Sequence, residues 1–328
     1  MLLSYVGLFI GFCVLIFSAD YFVKGASALA KNIGVSPLII GLTIVGLGTS
    51  APEMLVAGFA SLEGNTGLAI GNAVGSNIAN IGLVLGVSTL VSPIFIKSSL
   101  LRREFPILLL ASVVSYLLLL DGTLSFIDGS ILIVGLIAFL IWLIHSARKS
   151  REQGVDPLET DCDADIPSNM KTSSAWLLCL LGLVGLVLSS KLLVWAAVNI
   201  ATHFGISDLV IGLTIVAIGT SLPELAASIT SILKKEPDLA LGNVIGSNLF
   251  NLLAVLCLPG IIHPGAVDEL VLTRDMPMML GITVFLFAIS FGFKKEACIG
   301  RIKGLVLTLV FIGYMSKLYF DSLTTIIY

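Results

Sequence analysis

The sequence predicts an all-α polytopic membrane protein with ten transmembrane helices, arranged as two inverted five-helix repeats. Three observations carry that expectation. Of 328 residues, 57% are hydrophobic and only 12% charged, about half the ~25% charged fraction of a soluble domain, and the mean hydropathy is +1.06. Apolar runs of spanning length recur from residue 5 to residue 328, leaving no room for a separate soluble domain. The chain also repeats itself at an offset of 171 residues.

Cutting the hydropathy at charges and turn residues gives segments at 4–23, 37–61, 67–92, 104–120, 127–146, 174–199, 208–233, 239–260, 276–293 and 303–327. The first has signal-peptide length, but its nearest lysine, Lys24, follows the apolar run, so it reads as a retained helix. Loops after the odd-numbered segments carry Lys24 and Lys31; Lys97, Arg102 and Arg103; Arg148, Lys149, Arg151 and Lys171; Lys234 and Lys235; and Lys294, Lys295, Arg301 and Lys303. Those are fifteen of the eighteen Lys and Arg; only Lys191, Arg274 and Lys317 fall on or near the other side. The positive-inside rule then predicts a multi-pass protein of the cell (inner) membrane with both termini outside.

Residues 1–146 and 174–328 are thus two transmembrane repeats around a hydrophilic stretch, 147–173, with six acids, which reads as a cytoplasmic linker. Asp161, Asp163 and Asp165 imitate the start of an EF-hand loop, but Ile166 stands where glycine is needed and Thr172 where a bidentate glutamate is needed. A solvated linker is the better reading. The net charge of −3, with no basic stripe, argues against a nucleic-acid partner. Cys13, Cys162, Cys179, Cys257 and Cys298 lack ligand or redox spacing and read as packing residues.

The offset of 171 aligns SPLIIGLTIVGLGTSAPEMLV (36–56) with SDLVIGLTIVAIGTSLPELAA (207–227), with 13 identities in 21 positions. It also aligns AIGNAVGSNIANIGLVL (69–85) with ALGNVIGSNLFNLLAVL (240–256). Five spans per half is odd, so the second copy must enter the membrane in the opposite sense, as in secondary transporters with a midplane site between repeats. Small-residue patterns also serve tight helix packing, which accounts for the glycines. It does not account for Glu53 and Glu224, the sole charged residues between Asn32 and Leu62 and between Leu209 and Leu233. A carboxylate near the bilayer centre costs at least ~2.5–3.5 kcal/mol, so the pair calls for a compensating cation.

In GTSAPE (48–53) and GTSLPE (219–224), Pro52 and Pro223 remove a backbone N–H and clash with the carbonyls of Gly48 and Gly219, so each helix should break. Half-helix ends with free carbonyls are ion sites in transporters. Thr49, Ser50, Thr220 and Ser221 add hydroxyls, although Ser and Thr often bond back to their own helix. The next helix of each half offers Ser76, Asn77 and Asn80, or Ser247, Asn248 and Asn251, on one or adjacent faces. Asn80 and Asn251 read as ligands; Asn72, Asn77, Asn243 and Asn248 read as packing or capping residues. The pooled donors are all oxygens, which suits a hard cation and argues against zinc or copper.

At these paired GTSxPE and GNxxGSNxxN motifs the chain resembles the calcium/cation antiporter superfamily, specifically its prokaryotic sodium/calcium exchanger branch, over nearly its whole length. The resemblance implies interleaved repeats and sodium-driven calcium movement by alternating access, through sliding of the first helices of each half. It implies ion ligands at Gly46 and Ala217 (carbonyls), Thr49, Thr220, Ser50, Ser221, Glu53, Glu224, Ser76, Ser247, Asn80 and Asn251. The transported ions would be Ca2+ and Na+, with no cofactor and no partner named beyond these ions and the lipid bilayer. Some members carry an acid where Asn251 stands, or just after the position of Asn80, where this chain has Leu83 and Val84. The proton-coupled branch, with an additional acid in the GN helices, matches less well.

A proton-coupled calcium or other divalent-cation exchanger is the alternative within transport. An intramembrane enzyme using two carboxylates is disfavoured because acid/base work wants their environments to differ. A channel is disfavoured because two midplane carboxylates favour tight binding over fast exit.

Overall fold

The computed structural model describes residues 2–152, 170–203, 217–290 and 296–327. The acidic part of the linker, with the EF-hand-like triplet and Cys162, lies outside these residues, as does 204–216 at the start of the second copy's first motif. We number the helices α1 (Leu2–Ile33), α2 (Pro37–Thr49), α3 (Ala51–Leu62), α4 (Thr66–Val91), α5 (Ser98–Leu119), α6 (Phe126–Glu152), α7 (Thr172–His203), α8 (Ala217–Thr220), α9 (Leu222–Leu233), α10 (Pro237–Ile262), α11 (Val271–Ser290) and α12 (Arg301–Ile327). Seven helices among the described residues are long and apolar enough to cross a membrane, eight if the bent pair α2–α3 is one span; stretches 104–119 and 222–233 form shorter apolar helices. The protein is an all-α, multi-pass membrane protein.

Several helices overrun the apolar segments that announce them. Charged residues end a hydropathy window without ending a helix. In α1 the Asp20–Lys24 ion pair (2.8 Å) spans one turn, an i,i+4 support, and the helix runs ten residues past the predicted limit at residue 23 to Ile33. It stops at Gly34, whose φ of 71° only glycine adopts readily and whose N–H caps the Ala30 carbonyl at 3.0 Å. Pro37 then opens α2 at a first-turn position that needs no N–H.

Close backbone approaches set the helix directions. A Cβ on Gly25 would lie 2.5 Å from the Cys179 nitrogen, one on Gly182 2.5 Å from that of Phe22, and one on Gly11 2.8 Å from Leu193, so α1 and α7 run antiparallel along their length. The α2 helix crosses α10 through Gly41 against Gly242 and Gly46 against Gly246, with Cβ positions 2.5–3.1 Å from facing backbone atoms. Farther out, α4 meets α12 through Gly82 and Gly86, and α6 meets α10 through Gly129 and Gly260. The third long helix of each half therefore packs on the last helix of the other.

Two short ribbons join the halves outside the helical layers. Strand β1 (Ile94–Lys97) pairs antiparallel with β4 (Glu296–Ile299), placing Ile94 opposite Ile299; β2 (Thr123–Leu124) pairs with β3 (Gly265–Ala266). Neither ribbon is legible in the hydropathy pattern. Among the described residues, four π-helical turns, Gly41–Val45, Asn80–Leu85, Asn251–Val255 and Val271–Asp275, interrupt the α-helices.

Candidate functional site: two glutamates at broken helices

The predicted helix breaks are present in both halves. The axis bends by 42° between α2 and α3, and the pivot residue Ser50 has φ −81° and ψ 1°. Its counterpart Ser221, between α8 and α9, has φ −89° and ψ 4°. In each case the next helix begins with the proline in its first turn, where a missing N–H costs nothing, and the glutamate follows at once. Glu53 is 1% and Glu224 0% exposed.

The two carboxylates are neighbours, close enough for their charges to interact, and Thr49 and Ser50 of the first half flank the carboxylate of Glu224. No protein donor stands in hydrogen-bonding geometry to any of the four carboxylate oxygens. Ser50 Oγ, Ser221 Oγ and both polar atoms of Asn80 and of Asn251 are likewise buried without a protein partner. Leaving such a group unpaired costs ~1–3 kcal/mol, more for a charged one, so the cluster presents oxygens prepared for something other than protein donors. Among the described residues no three His, Cys, Asp or Glu side chains gather, so the formal charge of this cluster comes from Glu53 and Glu224.

The halves interlock at these residues. Thr49 Oγ1 lies 3.1 Å from Asn243 Oδ1 and 3.2 Å from Ser247 Oγ, both on α10. The π turn opened by Asn80 packs on α9, the helix of Glu224, and the π turn opened by Asn251 packs on α3, the helix of Glu53. Ser76 is buried on α4, one helical turn before Asn80. π turns widen a helix and redirect its side chains; the repeated asparagines were the available signal, but no residue pattern announced the turns.

Asn72 and Asn243 hold the start of α3 and α9 in register with the GN helices. Asn72 Nδ2 donates to the Glu53 carbonyl at 3.1 Å, and Asn243 Nδ2 to the Glu224 carbonyl at 3.2 Å. Asn243 also donates to Ser228 Oγ at 2.9 Å. Asn77 Nδ2 turns toward Met279 Sδ on α11, 3.6 Å away, while its Oδ1 and both polar atoms of Asn248 are buried without a partner.

Two details differ from the simple expectation of freed carbonyls. Gly46 O accepts the Ser50 N–H at 3.1 Å and lies 3.4 Å from the hydroxyls of Thr49 and Ser247. Gly219 O, opposite the missing Pro223 N–H, accepts the Ser190 hydroxyl of α7 at 2.5 Å. In the second half the Ser221 N–H bonds Ile218 O at 3.1 Å. Thr220 is half-buried.

Residues 3–145 and 174–320 match the family model described as sodium/calcium exchanger protein. The chain is 47% identical to a putative antiporter, CaxA, of Alkalimonas amylolytica, covering 97% of this chain and 99% of that one. It is 33% identical to the sodium/calcium exchanger MaX1 of Methanosarcina acetivorans, covering 95% and 97%. Among solved structures it resembles the sodium-calcium exchanger NCX_Mj soaked with Na+ and Ca2+, with a TM-score of 0.81 at 31% identity over 96% of this chain and 98% of that one. Motifs, fold and broken-helix carboxylates together lead to one conclusion: the chain belongs to the sodium/calcium exchanger protein family.

Proposed function

We propose that this protein is a secondary active antiporter that exchanges sodium for calcium across the membrane by alternating access, with both ions competing for a midplane site built on Glu53 and Glu224. The observation that carries the reading is the pair of buried carboxylates, without protein donors, facing each other across the two halves amid neutral oxygens. Calcium prefers six to eight oxygen ligands, and Thr49, Ser50, Ser76, Asn80, Thr220, Ser221, Ser247, Asn251 and the carbonyls of Gly46 and Ala217 are the proposed remaining donors. Two ionised carboxylates are neutralised by one calcium or by two sodium ions, which makes the ions mutually exclusive.

The architecture that serves this cycle is ten spans in two inverted repeats. Support comes from parity. Strands β1 and β2 flank α5, so a crossing α5 leaves them on opposite faces; the repeat offset carries β1 onto the start of β3, and β3 pairs with β2. Equivalent segments then sit on opposite faces, as inversion requires. The antiparallel first helices α1 and α7 fit the same scheme, and their glycine-rich contact offers the low-relief surface needed for sliding of this pair against the rest. Charge bias supports cytoplasmic placement of the loops after odd spans, with both termini outside.

The test is calcium-45 uptake into proteoliposomes under imposed sodium, potassium or proton gradients. Uptake driven by a sodium gradient alone is expected. Uptake driven only by protons would select the alternative, a proton-coupled calcium or other divalent-cation exchanger, and no coupled uptake would refute antiport.

A further inference from the structure

A second set of charges obeys the repeat, away from the glutamates. The offset of 171 carries Asp20 of α1 onto Lys191 of α7, and Glu63, after α3, onto Lys234, after α9. Both members change sign, so the attraction between the two positions is kept. In the structure only one of the two pairs is made. Lys234 Nζ lies 2.6 Å from Asp20 Oδ1, and Lys24 Nζ reaches the other oxygen of Asp20 at 2.8 Å. Glu63 and Lys191 are exposed and form no ion pair among the described residues.

Helix packing shows the same imbalance. Helix α1 packs along α9, whereas among the described residues α7 makes no comparable contact with α3. Two interfaces that the repeat makes equivalent are thus in different states, one closed and carrying its ion pair, the other apart with its charges separated. The closed one lies at the ends of α1 and α9 that the charge bias assigns to the cytoplasm; the open one lies on the other face.

We infer that Asp20–Lys234 and Glu63–Lys191 are reciprocal charge latches, one at each membrane face, that close alternately as the α1–α7 pair shifts against the rest of the protein. This rests on the alternating-access reading and adds the residues that position the two end states. Lys24 has no counterpart, since the offset carries it onto Trp195. The cytoplasmic latch therefore holds one more cation, and the resting equilibrium is weighted toward the state open to the outside.

Exposed ion pairs are weak, so turning attraction into repulsion should change the balance of states about three- to tenfold. In proteoliposomes, Lys191→Glu is expected to slow exchange by that factor, and adding Glu63→Lys, which reverses the pair, to restore it to within about twofold. Lys191→Gln, which removes attraction without adding repulsion, should slow exchange about two- to threefold and serves if Lys191→Glu does not fold. In a chain with its five native cysteines replaced, Glu63→Cys with Lys191→Cys should form a disulfide during turnover that stops exchange until reduced. Two results would overturn the proposal: a reversed pair as slow as the single reversal, or sodium-driven flux with no Glu63→Cys/Lys191→Cys crosslink. A crosslink in protein that moves calcium under no ion gradient would keep the latch and instead refute the sodium-coupled reading.

Discussion

Replacing Glu53 by glutamine tests the shared site most directly. The substitution keeps shape and one oxygen but leaves the cluster with a single negative charge, at a position 1% exposed, beside a partner that is 0% exposed. Bound calcium would then carry an uncompensated positive charge where water cannot screen it. Breaking a buried charge pair by removing one member costs ~3–5 kcal/mol, and each ~1.4 kcal/mol is tenfold in affinity, so calcium affinity should fall by about two to nearly four decades. Glu224→Gln should behave alike, because the repeat gives both carboxylates the same broken-helix setting. The double variant should be little worse than either single one, since one missing charge already forbids neutralisation. Purified variants of unchanged elution volume, assayed by calcium-45 binding at equilibrium and by sodium-driven flux, measure both quantities. Near wild-type flux in either single variant would refute the shared site and leave the surviving glutamate as the essential acid.

Pro52→Ala or Pro223→Ala should heal the helix and lower calcium affinity in a folded protein; unchanged transport in both would assign the prolines to folding or gating. Cysteine at Ser168 should react with impermeant thiol reagents only from the cytoplasmic face, and cysteine at Asp121 only from outside; labelling of Ser168→Cys in intact cells would invert the topology. Gly41→Ala places a Cβ 2.6 Å from the Leu239 carbonyl oxygen, overpacking that should cost ~1–3 kcal/mol and lower the melting temperature. Gly281→Ala, whose Cβ meets nothing within 4 Å, should hold or raise it, by up to ~1 kcal/mol of helix propensity.

Much of this architecture is legible in the residues because lipid leaves few options: apolar runs must be helices, and a charge inside one must be accounted for. That logic picked out Glu53, Glu224 and the breaks at their prolines. Helix limits are less legible, because residues such as Asp20 and Lys24 end an apolar run while extending the helix beneath it. The π turns at Asn80 and Asn251 escaped because widening a turn changes hydrogen-bond partners without demanding a particular side chain. Fates of single carbonyls escaped too: Ser190, twenty-nine positions before Gly219, is brought to it only by the packing of α7 on α8.

The exchange of outer helices between halves bears on how the chain is made. The groove on α4 at Gly82 and Gly86 is filled by Leu307, Thr308 and Phe311 of α12, a helix made long after α4. At ~5–20 residues per second, the roughly 200 residues between the two helices impose a wait on the order of ten to forty seconds. During that interval the groove must be lined by lipid chains, a tolerable substitute because hydrocarbon is as apolar as leucine. The buried polar row of Asn77 and Asn80 on the same helix has no such substitute in lipid. Nascent chains stalled before residue 301 should therefore hold α4 loosely, open to lipid-soluble photocrosslinkers that the finished protein excludes, and membrane chaperones would find their binding window there.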